Sequence, residues 1–190
     1  MSLSLPRCLV SLAALLFAAS LHAGSAEPPM RSASEYDYPP LSVVTPDGRA
    51  DGFAVELLRA SLRAMGREVE FKVGPWHAIK DDLAAGRIQV LPLVARNPGR
   101  EAQFDFSVPY LAMHGTIVVR KGERRIRTAG DLQGKKVVVL RADVAEEYVR
   151  TRRLTNQLVT TDTLEQGLRD LEAGHHDAMV VQKLAGESLI

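Results

Sequence analysis

The sequence predicts an α/β chain made of two similar halves, and three observations carry that expectation. From residue 52 onward, apolar patterns of helical period alternate with short runs of strand type, the order expected of α/β architecture. Predicted helices end at Gly66, Gly86 and Gly174, the residue type that best tolerates the left-handed backbone of a helix stop. Leu83-Ala84-Ala85-Gly86-Arg87-Ile88-Gln89-Val90 is echoed 88 residues later by Leu171-Glu172-Ala173-Gly174-His175-His176-Asp177-Ala178. Any αβ loop can look alike, so the echo gains its weight from its equivalent place in the two halves. Open α/β sheets bind ligands beyond the carboxyl ends of their strands, so two facing lobes predict a cleft between them.

The elements follow in order. Gly52 to Met65 reads as a helix with Phe53, Leu57, Leu58, Leu62 and Met65 near one face. Val69 to Val73 reads as a strand and Trp76 to Ala85 as the next helix. Ile88 to Val94 is an almost continuous apolar run, which suits a strand covered on both faces. Thr116 to Arg120 reads as a further strand. In the second half, Thr128 to Leu132 is a helical turn, Lys136 to Leu140 a strand, and Asp143 to Arg153 a helix capped by Asp143. Gln157 to Thr160 is a short strand, Asp162 is expected to cap a helix running to Ala173, and Asp177 to Val181 is the last strand.

Residues 1–26 read as a cleavable targeting segment. Arg7 supplies a positive start, and Cys8 to Leu21 is an apolar run too short to span a bilayer. Small residues offer cleavage after Ala23 or after Ala26. The full chain carries 24 basic and 23 acidic residues, and loss of the segment removes Arg7 and no acid. A neutral chain without blocks of like charge has no electrostatic footprint for nucleic acid or an anionic membrane. The single cysteine, Cys8, lies in the targeting segment, so the mature chain has neither a disulfide framework nor a thiolate metal site.

Other chemistries find little support. His175-His176 are adjacent, and neighbouring strand residues point to opposite faces, so they are poor co-ligands for a metal. Ser107 is not in a Gly-x-Ser-x-Gly elbow, and no glycine-rich phosphate loop is present. Arg124-Arg125-Ile126-Arg127 reads as a solvated basic loop. No cofactor and no metal are expected.

Asn97-Pro98-Gly99-Arg100-Glu101-Ala102-Gln103-Phe104-Asp105-Phe106-Ser107-Val108-Pro109-Tyr110 resembles the hallmark segment of the bacterial extracellular solute-binding proteins of family 3. There, an arginine is followed by an acid, a spacer and a Phe-Ser-x-Pro-Tyr run. Further matches fall in the same order: Tyr38-Pro39-Pro40, Gly52-Phe53, Trp76, Ala85-Gly86, Asp131-Leu132-Gln133-Gly134-Lys135-Lys136-Val137, and Gly174 with Asp177-Ala178. The resemblance implies a periplasmic clamshell of two α/β lobes joined by hinge strands, the first near Gly115 to Lys121. It divides the chain into lobe 1 over residues 27–117 and lobe 2 over 118–190. It also implies that the second lobe continues past Ile190 and returns to the first, so that the sequence reads as truncated at its C-terminus.

Residue roles follow by resemblance. Arg100 aligns with the arginine that grips a ligand carboxylate, a task suited to a planar guanidinium with two parallel donors. The alternative is an exposed turn residue paired with Glu101. Tyr38 and Trp76 fall where aromatic side chains wall the ligand, although Trp76 also suits a core position at a helix start. Asp143 and Gln182 align with ligand contacts from the second lobe. Departures bear on the ligand: Leu93 and Ala95 replace the usual hydroxyl residues, Ala142-Asp143 replaces a glycine-threonine turn, and Gln182 replaces the acid that receives an α-ammonium. Loss of that ion pair weakens the case for an ordinary α-amino acid.

His114 to Gly122 and His175 to Leu184 are similar to periplasmic sensor domains that precede membrane histidine kinases and cyclic-dinucleotide enzymes. The expected function is therefore a periplasmic, non-enzymatic module that closes on a small carboxylate-bearing ligand. It would serve a membrane sensor kinase or an ABC permease in amino-acid transport. The rival is an enzyme of the same fold, a dehydratase acting on a cyclic carboxylate, for which Asp143 is the candidate acid or base.

Overall fold

The structure is a computed structural model that describes residues 27–190; the predicted targeting segment and Cys8 lie outside the described residues. In the first half, β1 (Met30–Ser34) pairs in parallel with β5 (Val69–Val73), while β2 (Asp37–Tyr38), β3 (Ser42–Val44) and β4 (Ala50–Asp51) form a small antiparallel sheet. Helices α1 (Phe53–Ala64) and α2 (Trp76–Ala84) accompany these strands, and a single turn, α3 (Pro98–Glu101), follows.

The second half is a four-stranded sheet in the order β6 (Gly115–Val118), β9 (Ala178–Gln182), β7 (Lys136–Leu140), β8 (Gln157–Thr161). The 3-10 turn Ala129–Leu132 and helices α4 (Val144–Thr151), α5 (Leu164–Glu172) and α6 (Lys183–Glu187) complete it. β7 runs parallel to both β8 and β9, whereas β6 is antiparallel to β9. All of β6 pairs with β9, so the strand that crosses between the halves belongs to the second sheet from Gly115 onward.

Strand period 2 explains how the second half is layered. On β7, Val138 and Leu140 join a cluster with Leu164 and Leu171 of α5, while Val137 and Val139 join another with Ala145 and Val149 of α4. A strand buried on both faces must be apolar at every position, as Val137 to Leu140 is. The α5-side cluster also takes in Ala33, Tyr38, Leu41, Ala54, Trp76 and Ile79 from the first half. One apolar core therefore crosses between the halves, and the two are closed on each other. Glu165 N adds a bridge by donating to Asp37 Oδ2 at 2.9 Å.

The echoed segments have the same local geometry. Gly86 and Gly174 adopt φ of 69° and 83°. In each, the glycine N–H and the next N–H reach back to the closing helix, Gly86 to Leu83 and Arg87 to Asp82, Gly174 to Leu171 and His175 to Asp170.

Three sequence expectations need correction. Residues 88–94 form no strand: Val90 makes only an isolated bridge to Ser32, and Pro92, with no N–H, cannot extend the ladder. Asp162 does not cap α5. Thr163 does, accepting from Gln166 N at 3.0 Å, while Asp162 accepts from Arg141 Nε at 2.7 Å. On α1 the buried residues are Ala54, Val55 and Leu62, whereas Phe53 and Met65 are exposed. Leu57 and Leu58 instead border a groove of about 640 Å³. The helix entry accounts for this rotation, because Gly52 packs directly on the Leu41 backbone and brings Ala54 and Val55 inward.

Candidate functional site

Arg100 is positioned by a short, tightly capped turn. Pro98 begins α3, and the Asn97 carboxamide oxygen accepts from Arg100 N at 3.0 Å. The capped turn sends the guanidinium inward rather than to solvent, and Arg100 is only 4% exposed. Glu101 pairs with Arg96, so the alternative of an exposed Arg100–Glu101 pair is not what the structure contains.

The guanidinium is held from both halves. Its Nη1 donates to Ala95 O at 3.2 Å, its Nη2 to Ala142 O at 3.2 Å, and both Nε and Nη2 to Glu147 Oε1 at 3.1 and 2.9 Å. Its Cζ lies 5.4 Å from the centre of the Trp76 ring, within range of a cation–π contact. Glu147, on α4, uses its second oxygen to accept from Asn97 Nδ2 at 2.8 Å.

Trp76 opens α2 directly after Pro75, and its side chain is buried at the junction of the halves. Its indole Nε1 donates to Ala142 O at 2.9 Å, and Lys80 Nζ, one turn on, reaches the same oxygen at 3.3 Å. One carbonyl of the second half thus gathers three donors of the first. Ala142 has a φ of 59°, a conformation unfavourable for a residue with a Cβ, and its N–H donates to Glu146 Oε2 at 2.6 Å.

Tyr38 lies on β2 before a cis Pro39–Pro40 bond, buried in the shared core. Burial pushes its phenol far above the ordinary value, and the negative charges of Asp143 and Glu35 add to the effect. Asp143 caps α4 by accepting from Ala145 N at 2.9 Å. Desolvation raises its carboxyl, against the opposing pull of that hydrogen bond and of Arg100. Gln182 ends β9 and caps α6, its Oε1 accepting from Ala185 N at 2.8 Å.

Tyr38, Trp76, Arg100 and Asp143 therefore meet in one interlobe cluster, whereas Gln182 stands apart from it. Asp143 and Gln182 both border a largely apolar cavity of about 670 Å³ between the halves, with Leu93, Ala95 and Tyr148 among its lining. Arg100 does not line this cavity, but it ties the carbonyl of Ala95, which does.

Sequence reasoning missed Glu35 and Glu147. Glu35 is buried in the β1–β2 turn, and among the described residues its carboxylate has no hydrogen-bond partner. Burial raises it well above the ordinary range, Asp143 and Asp37 add to the rise, and Arg100 opposes it. An acid three residues before Tyr38 was a usable signal, whereas nothing in the helical pattern of α4 singles out Glu147. His175 contacts Asp170 at 3.4 Å, and no group of three or more metal-ligating side chains occurs among the described residues.

With this geometry in view, comparison with known proteins gives the family. Residues 30–183 match the family described as bacterial extracellular solute-binding proteins, family 3. The chain belongs to that family.

Among family 3 relatives, the L-cystine-binding protein TcyJ of Escherichia coli (strain K12) is 34% identical over 158 residues, covering 82% of this chain and 59% of the relative. The L-arginine-binding protein of Pseudomonas aeruginosa is 29% identical, covering 87% of this chain and 65% of the relative. A histidine kinase sensor domain with similarity to periplasmic binding proteins superposes with a TM-score of 0.82 at 32% identity, over 87% of this chain and 72% of that one. This chain thus spans about 59% of the cystine-binding relative's length.

Proposed function

We propose that this chain is the ligand-binding part of a periplasmic solute-binding module. It closes on a small carboxylate-bearing solute and acts by binding rather than turnover. The observation that carries the reading is the buried Arg100 guanidinium between the halves, stacked on Trp76 and already gripping a carboxylate, that of Glu147, with two of its donors. A planar fork in a poorly solvated cleft recognises a carboxylate far better than it would in water. Glu35 refines the reading. It is buried in the β1–β2 turn, close enough to the Arg100 and Asp143 charges to feel both, and an acid in so poorly solvated a place favours a cationic partner. The ligand class is therefore a small solute with both a carboxylate and a cationic group. The amino-acid ligands in the names of the cystine- and arginine-binding relatives fit that class.

A targeting segment over residues 1–26 would deliver the protein to the periplasm, cleaved after Ala23 or Ala26. There it would feed a membrane sensor kinase or an ABC permease. The similarity to a kinase sensor domain supports sensing, and relatives whose names mention ABC transporters support delivery. The test is a thermal-shift and calorimetric screen of L-arginine, L-cystine, L-glutamine and polyamines on the full-length protein. Binding should raise the midpoint by mass action, and Arg100→Ala should abolish the shift from any carboxylate ligand. An unchanged shift in that variant would remove Arg100 from the site.

The enzyme reading draws on Asp143, an acid beside the cleft whose carboxyl burial raises from its ordinary value, a shift that suits a proton-transfer group. Ultraviolet assay of prephenate distinguishes the two readings, with no turnover expected.

A further inference from the structure

The residue facing Arg100 across the cleft is not empty of chemistry: it is a carboxylate of the protein's own. Glu147 Oε1 accepts two of the four hydrogen bonds that the guanidinium makes, and Oε2 is held by Asn97 Nδ2 at 2.8 Å. Both donors come from the first half, while Glu147 rides on the first turn of α4 in the second. A ligand carboxylate bound to Arg100 would need the same Nε and Nη2 donors, and an arginine has only five N–H groups to give. With Ala95 O and Ala142 O also served, too few donors remain for a second carboxylate to be held by the fork.

We propose that Glu147 is a built-in competitor for the ligand's carboxylate, clamping the ligand-free halves on Arg100 and leaving when a carboxylate arrives. This rests on the reading of Arg100 as the ligand's carboxylate partner. The two members of the pair differ in the way a displaceable clamp requires. The Arg100 side chain is 5% exposed and fixed on every side, whereas that of Glu147 is 38% exposed and can swing into water, where a carboxylate is well solvated. Displacement loosens the junction around Trp76 without parting the halves, because Trp76 Nε1 and Lys80 Nζ still reach Ala142 O. Glu147 thereby sets a threshold. A solute that offers a carboxylate alone merely exchanges one pair for another, and only a solute with further contacts in the cleft gains net affinity. Glu147 is in this sense a specificity-determining residue.

Trp76, the sole tryptophan of the chain, sits at the closed junction and reports directly on it. In the ligand-free full-length protein, Glu147→Ala and the size-preserving Glu147→Gln should both shift Trp76 emission to longer wavelength, with far-UV circular dichroism unchanged. Calorimetry with L-arginine, and with agmatine, its analogue without the carboxylate, provides the second arm. L-arginine should bind both variants about tenfold more tightly than wild type, the scale of one charge-assisted hydrogen bond, while agmatine should gain nothing. Unchanged emission in both variants overturns the clamp, and a red shift without tighter L-arginine binding overturns the competition. If Arg100→Ala leaves L-arginine affinity unchanged, or if L-arginine and agmatine both fail to bind wild type, the reading of the ligand site fails instead. The emission arm still decides the clamp in that case.

Discussion

Arg100→Ala should cost the ligand-free protein about 2–3 kcal/mol of stability, a magnitude that follows from what each partner is left with. Breaking a buried ion pair by deleting one member typically costs about 3–5 kcal/mol, because the other charge is stranded in a poor solvent. Here the stranded partner is only partly buried, with 38% of the Glu147 side chain exposed and Asn97 still donating to it, so the full penalty does not apply. Ala142 O keeps two donors, Trp76 Nε1 and Lys80 Nζ. Ala95 O is the acceptor that loses its side-chain donor, which costs about 1 kcal/mol. The stacking over Trp76 contributes about another 0.5–1 kcal/mol. Urea unfolding at pH 7, followed by far-UV circular dichroism, measures the loss as a lower midpoint with an unchanged slope. A cycle with Glu147→Ala separates the pair from the rest, and the double variant should be less destabilised than the sum of the singles by about 1–2 kcal/mol. A loss below about 0.5 kcal/mol, the level of an ordinary surface substitution, or strict additivity in the cycle would refute the claim that the two halves are joined through this guanidinium.

Two further outcomes follow from the same interior. Glu35 is an acid whose folded-state pKa lies well above its ordinary value of 4.5, through burial and then the charges of Asp143 and Asp37. Below the ordinary value it is protonated in both states and costs nothing. As pH rises through that value the unfolded chain releases its proton first, so stability falls until the folded-state pKa is passed. Glu35→Gln should therefore stabilise the ligand-free protein at pH 7 and be near neutral at pH 3.5, with the difference read from paired urea titrations; equal effects at both pH values would contradict it. Gly52→Ala meets a different barrier. Gly52 has a φ of 107°, and an added Cβ would lie 2.7 Å from Leu41 O, so backbone strain and the clash together should cost about 3 kcal/mol or more. A midpoint within experimental error of wild type would show that the α1 entry can relax.

What was legible in the sequence was whatever rests on local rules. The alternation of patterns, the glycine stops at Gly86 and Gly174, the Asp143 cap and the strand at Lys136 to Leu140 depend on a few neighbouring residues, and the structure contains them. Errors arose where distant partners decide. Residues 88–94 have the composition of a strand, but a strand needs a neighbour with free donors and acceptors, and Pro92 interrupts the only pairing on offer. The apolar face of α1 was misjudged because the close approach of Gly52 to Leu41 sets the helix rotation, a contact that periodicity does not encode.

The candidate site divides along the same line. Arg100, Trp76 and Tyr38 were legible as candidates because a resemblance fixed their places, and each residue type announces its chemistry. Glu147 could not be found that way, since an acid in the first turn of a helix is ordinary support for the helix dipole. What gives it a role is its partner 47 residues away, which only the packing of one half on the other reveals. That asymmetry bears on how the proposed ligand selectivity would change. The arginine is locked by Asn97, Ala95 and Trp76 within its own half, so substitution there disturbs the fold. If the part-exposed acid opposite is the proposed competitor, a one-residue change on α4 should alter which carboxylates bind while leaving the apolar core between the halves in place.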